Sequence, residues 1–140
     1  MIQRKFVSRG TKDARPRYGE NQMETATRYF NPLCNDARSS WRPVPGLGGA
    51  AEFLTLNDDN ETGHYTRLTR FLPGAETSAL GAVAHDYKEE VIILSGDLCD
   101  HAVGETLTPG HYACRQPGEP HGPFSSQDGC VVLEISFPGT

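Results

Sequence analysis

A chain of 140 residues with a formal net charge of −5 is sized for one domain, large enough to bury a core without disulfide or metal staples. Its 15 glycines and 10 prolines fall mostly singly between short apolar runs, which favours turns and short strands over long helices. No stretch approaches a membrane span and no apolar secretion core opens the chain, so a cytoplasmic protein without a membrane partner is expected.

Basic charge is concentrated early, because only Arg67, Arg70, Lys88 and Arg115 follow Arg42. A nucleic-acid-binding arm needs a sustained Lys/Arg block or repeated aromatic platforms, and neither is present. We therefore expect no nucleic-acid partner, and an arm that packs on the acidic body of its own or a second subunit. Cys34, Cys99, Cys114 and Cys130 show no close metal-ligand spacing, so free, partly buried thiols are expected. Cys114 and Cys130 fall on predicted strands, and spacing alone leaves their pairing open.

Residues 1–40 show little hydrophobic period and read as an N-terminal arm ahead of a barrel spanning residues 41–140. Short strands are expected within the arm at 1–7 and 24–30, around a Pro- and Gly-interrupted loop at 13–19. A strand at 51–56 precedes an acidic turn, 57–63, whose residues lack the ligand spacing of a calcium loop and read as solvated. The next run, 64–72, alternates, with Tyr65, Arg67, Thr69 and Phe71 on one face and His64, Thr66, Leu68 and Arg70 on the other.

Further strands are predicted at 78–85 and 90–94, a continuation at 97–100, and another strand at 111–115. A polar loop is expected at 125–129. The last strand, 130–137, places Val131, Leu133, Ile135 and Phe137 on one face and Glu134 on the other. Short strands at regular intervals without helical period predict an all-β antiparallel sandwich or barrel.

Two stretches carry the chemistry. His85 and Glu89 stand four positions apart at the mouth of an apolar run that ends at Gly96, and a Pro/Gly-punctuated strand end downstream carries His121. Two imidazoles and one carboxylate on rigid strands suit a divalent transition metal with coordination positions left open for a substrate. A metal-free barrel whose histidines hydrogen-bond to carboxylates is the alternative.

The run of His85, three residues, Glu89, six residues and Gly96 resembles the first motif of the cupins, and Gly110 through Pro117-Gly118 to His121 resembles the second. Trp41-Arg42-Pro43-Val44-Pro45-Gly46 and Phe71-Leu72-Pro73-Gly74 resemble the lead-in of cupin domains in zinc-binding anti-sigma factors. The likeness runs from Trp41 to Phe137. It departs from the usual pattern at Val83, where the first motif commonly opens with a histidine, at Gln116, where proline is usual, and at Ser125, where asparagine is often found.

The resemblance implies a cupin-type antiparallel jelly-roll barrel with an N-terminal arm. It implies one divalent metal held by His85, Glu89 and His121, iron(II) favoured over zinc, manganese or nickel. Family spacing selects Glu89 over Glu90. His64, on a strand that could line the same cavity, is the other candidate ligand, with a partly exposed sheet residue as the alternative, and His101 and His111, beside predicted turns and outside the motif positions, are expected at the surface. Arg115, Tyr112 and Arg70 are candidate catalytic residues, with Arg67 and Tyr87 nearby. The activity implied is a metal-dependent dioxygenase cleaving a carbon–carbon bond of a diketone or a hydroxy or aryl ketone. Alternatives are a non-oxidative lyase, isomerase or decarboxylase, and a metal- or ligand-binding sensor module. A small-molecule substrate and a homodimer are expected.

Overall fold

The computed structural model describes residues 29–34 and 40–139. The chain divides into two compact units, Met1–Asn31 and Pro32–Thr140, and the barrel lies in the second. Most of the arm expected at residues 1–40, including nearly all of its two strands, lies outside the described residues, and Tyr29 and Phe30 are not in a strand.

Ten strands follow: β1 (Arg42–Pro43), β2 (Ala51–Asp59), β3 (His64–Phe71), β4 (Ala75–Glu76), β5 (Lys88–Gly96), β6 (Leu98–Asp100), β7 (Glu105–Leu107), β8 (Tyr112–Arg115), β9 (Phe124–Ser126) and β10 (Cys130–Phe137). They form a six-stranded sheet in the order β1-β2-β3-β10-β5-β8 and a four-stranded sheet in the order β4-β9-β6-β7. All pairings are antiparallel, and the two sheets make the jelly roll.

Three expectations are corrected. The strand expected at 78–85 is a single 3-10 turn at Ser78–Leu80 followed by irregular backbone, with one bridge between Val83 and His121. Its Ala79, Gly81, Ala82 and Ala84 offer little side chain to pack on a pleated surface, which leaves the segment free to cross between sheets. The polar loop expected at 125–129 begins instead as β9, whose Ser125 and Ser126 pair with Glu76 and Ala75. The acidic turn expected at 57–63 forms only at 60–63, because Asn57, Asp58 and Asp59 continue β2 and pair with β3. Asp59 holds it by accepting hydrogen bonds from the Thr62 hydroxyl at 2.7 Å and the Glu61 amide at 2.9 Å, and these hold its carboxyl below the usual range.

The inner face of the large sheet is laid out in rows by its register. Arg115, Glu89 and Ser136 stand opposite one another on β8, β5 and β10, and the Tyr65 amide on β3 donates to the Ser136 hydroxyl at 2.7 Å. The next row places Ala113, Val91, Glu134 and Arg67 side by side. Beyond it Ile93, Val132 and Thr69 align, leading into a core with Ala51, Phe71, Ala75, Leu98 and Cys130. One end of the barrel is thus apolar and closed, and the other is polar.

Gly96 ends β5 with φ +77°, and a Cβ there would lie 1.8 Å from the Gly129 carbonyl oxygen. Both the left-handed backbone and the close approach require glycine. Gly96→Ala is expected to destabilise the barrel by at least about 1–3 kcal/mol, measured as a lowered midpoint in urea.

Burial pushes the Cys130 thiol up to about 12, so it stays protonated and inert at neutral pH. Cys130 is expected to resist iodoacetamide until the protein unfolds, as peptide mass mapping would show. Because the folded thiol holds its proton longer than the unfolded one, the stability it contributes is lost as pH rises from about 9 towards about 12. Cys130→Ala should flatten that alkaline loss.

Candidate metal centre

Strand alternation explains why Glu89 faces inward. In β5 it is in phase with the buried Val91 and Ile93, whereas Glu90 is out of phase and pairs with Lys88 at 2.8 Å. His85 and His121 come from the two irregular segments that close the polar end. These are joined through Val83, whose amide and carbonyl each bond His121 at 2.9 Å, and the Gly118 amide donates to the His85 carbonyl at 2.7 Å.

The ligating atoms of His85, Glu89 and His121 all lie within 4.8 Å of one another. Donors sharing one ion at about 2.0–2.2 Å stand no more than about 4.4 Å apart, so the group can hold a divalent metal after a shift of a few tenths of an ångström. Val83 lines the adjoining cavity at the position where the cupin pattern usually has histidine, and it supplies no donor.

Each member is held from behind. The Glu89 carboxylate is 2% exposed. Its Oε1 accepts from the Tyr65 hydroxyl at 3.3 Å, and its Oε2 from Arg115 Nη1 at 2.9 Å, with His85 Nε2 at 3.8 Å. Tyr87 stacks on the His85 ring, 4.7 Å between centroids and 7° from parallel, while its hydroxyl meets that of Tyr65 at 2.8 Å. Burial drives the Tyr65 phenol far above its ordinary value, so it remains a neutral hydroxyl beside the carboxylate. His121 is 7% exposed, and its Nδ1 pairs with the Glu119 carbonyl at 3.3 Å, which leaves Nε2 for the cluster. Burial first, and then the Arg115 charge, hold its imidazole below the usual range.

The cluster opens on a cavity of about 240 Å³ whose wall is largely apolar, with Val44, Leu47, Phe53 and Phe124 among its residues. Arg115 lines it. Arg67 and Glu134 line it too, joined in an ion pair, with the Arg67 guanidinium 4.6 Å from the Tyr65 ring. Burial raises the Glu134 carboxyl against the opposing pull of Arg67.

Three sequence candidates lie elsewhere, each because of strand parity. Arg70 is out of phase with Arg67 and Thr69, and it pairs with Glu52 at 2.5 Å and stacks 4.2 Å from the Trp41 ring. Tyr112 is an odd number of residues from Arg115, faces outward beside Ile92 and is 59% exposed. His64 lies on the same outer face of β3 as Arg70, with Nδ1 bonded to the Ser136 carbonyl and its ring against Phe137. His101 and His111 are exposed, as expected. Cys99, Cys114 and Cys130 are free thiols, with β5 between the strands of Cys114 and Cys130. Glu134, Thr69 and Phe124 were not singled out by the sequence, although the isolated charge of Glu134 in an apolar strand was visible there.

No curated protein matches the chain in sequence. Among solved structures, the fold is similar to an RmlC-like cupin from Shewanella frigidimarina, with TM-score 0.59 and 18% identity over 71% of this chain and 84% of that one. It is similar to an acetylacetone dioxygenase from Acinetobacter johnsonii, with TM-score 0.61 and 18% identity over 84% and 78%. It is also similar to a chain in the complex of Rhodobacter sphaeroides SigE with the anti-sigma ChrR, with TM-score 0.53 and 17% identity over 69% and 48%. Likeness at these identities shows the fold. The family model described as the ChrR cupin-like domain matches residues 31–136, most of the chain and nearly all of the barrel, and the chain therefore belongs to that family.

Proposed function

We propose that this chain is a metal-dependent cupin enzyme acting on a small oxygen-rich molecule, in the first place a non-haem iron(II) dioxygenase. The bond cleaved is a carbon–carbon bond of a diketone or of a hydroxy or aryl ketone. The observation that carries the reading is the convergence of His85, Glu89 and His121 at one point on the wall of a cavity. Similarity in fold to the acetylacetone dioxygenase supports it.

Iron(II) bound there supplies Lewis acidity towards a chelating pair of oxygens and activation of dioxygen. The chain's own residues prepare the site. Glu119 orients His121 through Nδ1, and burial keeps the ring neutral, with its other nitrogen free to donate. Tyr65 and Arg115 hold the Glu89 carboxylate from two sides, so the ligand does not have to be ordered when a metal arrives. Arg115, on the cavity wall, has further donors in a planar fork that matches an enolate or carboxylate. The apolar wall keeps water from the reacting atoms. One O2 is consumed for each bond cleaved, both oxygen atoms end in the two carbonyl or carboxyl products, and no external reductant is required.

Two imidazoles with a glutamate also form a set that holds catalytic zinc. This favours a second reading, in which Lewis acidity alone serves an isomerase, lyase or decarboxylase.

Metal analysis of the purified protein should find about one divalent ion per chain, lost from His85→Ala and His121→Ala with the circular dichroism of the fold unchanged. Tyr65→Phe, which removes a partner of the ligand and not the ligand, should weaken metal affinity by about tenfold. Iron-loaded protein should consume oxygen with pentane-2,4-dione or a hydroxyketone. If it consumes none with any chelating substrate, the dioxygenase reading is overturned, and anaerobic turnover with zinc in its place would establish the second.

A further inference from the structure

The cavity has a second polar feature that the metal cluster does not use. Thr69 is 5% exposed and lines the cavity, and among the described residues its Oγ1 is the one buried side-chain polar atom without a hydrogen-bond partner. The hydroxyl lies beside the Glu134 carboxylate without completing a well-formed bond to it. Glu134 is largely buried, and its cross-strand neighbour Arg67 holds it in an ion pair. An orphaned buried hydroxyl costs free energy, and so does a desolvated carboxylate with lone pairs to spare. Both costs fall if a ligand supplies the missing partner.

We propose that Thr69 and Glu134, with Arg67 fixing the carboxylate, recognise a hydroxyl group at the far end of the molecule whose near end chelates the metal. The inference rests on the metal reading above.

A hydroxyl is the group that fits both partners. It donates to the carboxylate in a charge-assisted bond and accepts from the Thr69 hydroxyl, whereas an ether or a methyl group cannot donate. The register places Glu134 opposite Val91, two residues along β5 from Glu89. Diagonal neighbours of this kind stand about 7–8 Å apart, roughly the span of a six-membered ring with a hydroxyl at one end and a two-oxygen chelating group at the other. The cavity of about 240 Å³ equals the share of about eight waters at ~30 Å³ each, enough for one such ring and too little for two. Phe53, Phe71 and Phe124 on its wall suit the flat faces of a ring.

The test uses the full chain loaded with zinc, which is redox-silent, and a matched pair of chelating probes, benzohydroxamate and 4-hydroxybenzohydroxamate, with 4-methoxybenzohydroxamate as the size control. Calorimetry should show metal-dependent binding of both, with the 4-hydroxy compound at least tenfold tighter than the unsubstituted one and the methoxy compound gaining nothing. The tenfold ratio should fall at least threefold in Thr69→Val and in Glu134→Gln, each checked for an unchanged thermal midpoint. Metal-dependent binding without preference for the 4-hydroxy probe would overturn this inference and leave the metal centre standing. A preference that survives in both variants would overturn it as well. If neither probe binds in a metal-dependent way, the metal reading and this inference fall together.

Discussion

Glu89 is fully buried on a strand face it shares with Val91 and Ile93, and much of the polar end of the barrel is arranged around the cost of placing a carboxylate there. An isolated charge at such a depth costs several kcal/mol after relaxation. The sheet meets that cost by register: β8 places Arg115 directly opposite Glu89, and β3 brings the Tyr65 hydroxyl to the other oxygen. A slip of one residue in β5 would turn Glu89 to the outer face and Glu90 inward, with Arg115 left facing the wrong neighbour. The close approach of Gly96 to Gly129 and the irregularity between Val131 and Val132 lie at the far end of the same strand pair, where they define the register that Glu89 needs.

The fold was legible in the sequence wherever side chains alternate strongly over several residues. Tyr65, Arg67, Thr69 and Phe71 were separable from His64, Thr66, Leu68 and Arg70 by parity alone, and the structure divides them the same way. The set of His85, Glu89 and His121 was readable through the resemblance to the cupin motifs, whose spacing picks out Glu89 rather than Glu90. Harder to read was which face of a strand is the inside. In β10 the more apolar set, Val131, Leu133 and Ile135, faces outward, and the set with Glu134 and Ser136 faces the barrel interior, Glu134 on the cavity wall. Composition favours burying the first set, but the sheet is oriented by its neighbours, where Val91 and Ile93 must meet Val132. The same limit displaced Arg70 and Tyr112 from the site. Nearness in sequence to a ligand says little when each step along a strand reverses the face. The segment 78–85 was misread for a different reason: its apolar character comes from alanine, which carries no β preference.

The charges that line the cavity balance before any ligand is considered. Arg115 answers Glu89 and Arg67 answers Glu134, in two pairs on adjacent rows of one sheet, and His121 is kept neutral by burial. A divalent ion held among these groups would add two positive charges beside a largely apolar wall, where charge imbalance costs most. An anionic chelator would offset those charges and a neutral one would not, which fits the proposed function to a molecule able to ionise on binding. The two pairs also differ in what they leave free. Glu89 has both oxygens engaged, by Tyr65 and by Arg115, whereas Glu134 has Arg67 on one side and an unsatisfied hydroxyl on the other. The first carboxylate is therefore built to be held still and the second to receive a partner, a division of labour between two glutamates that face the same cavity.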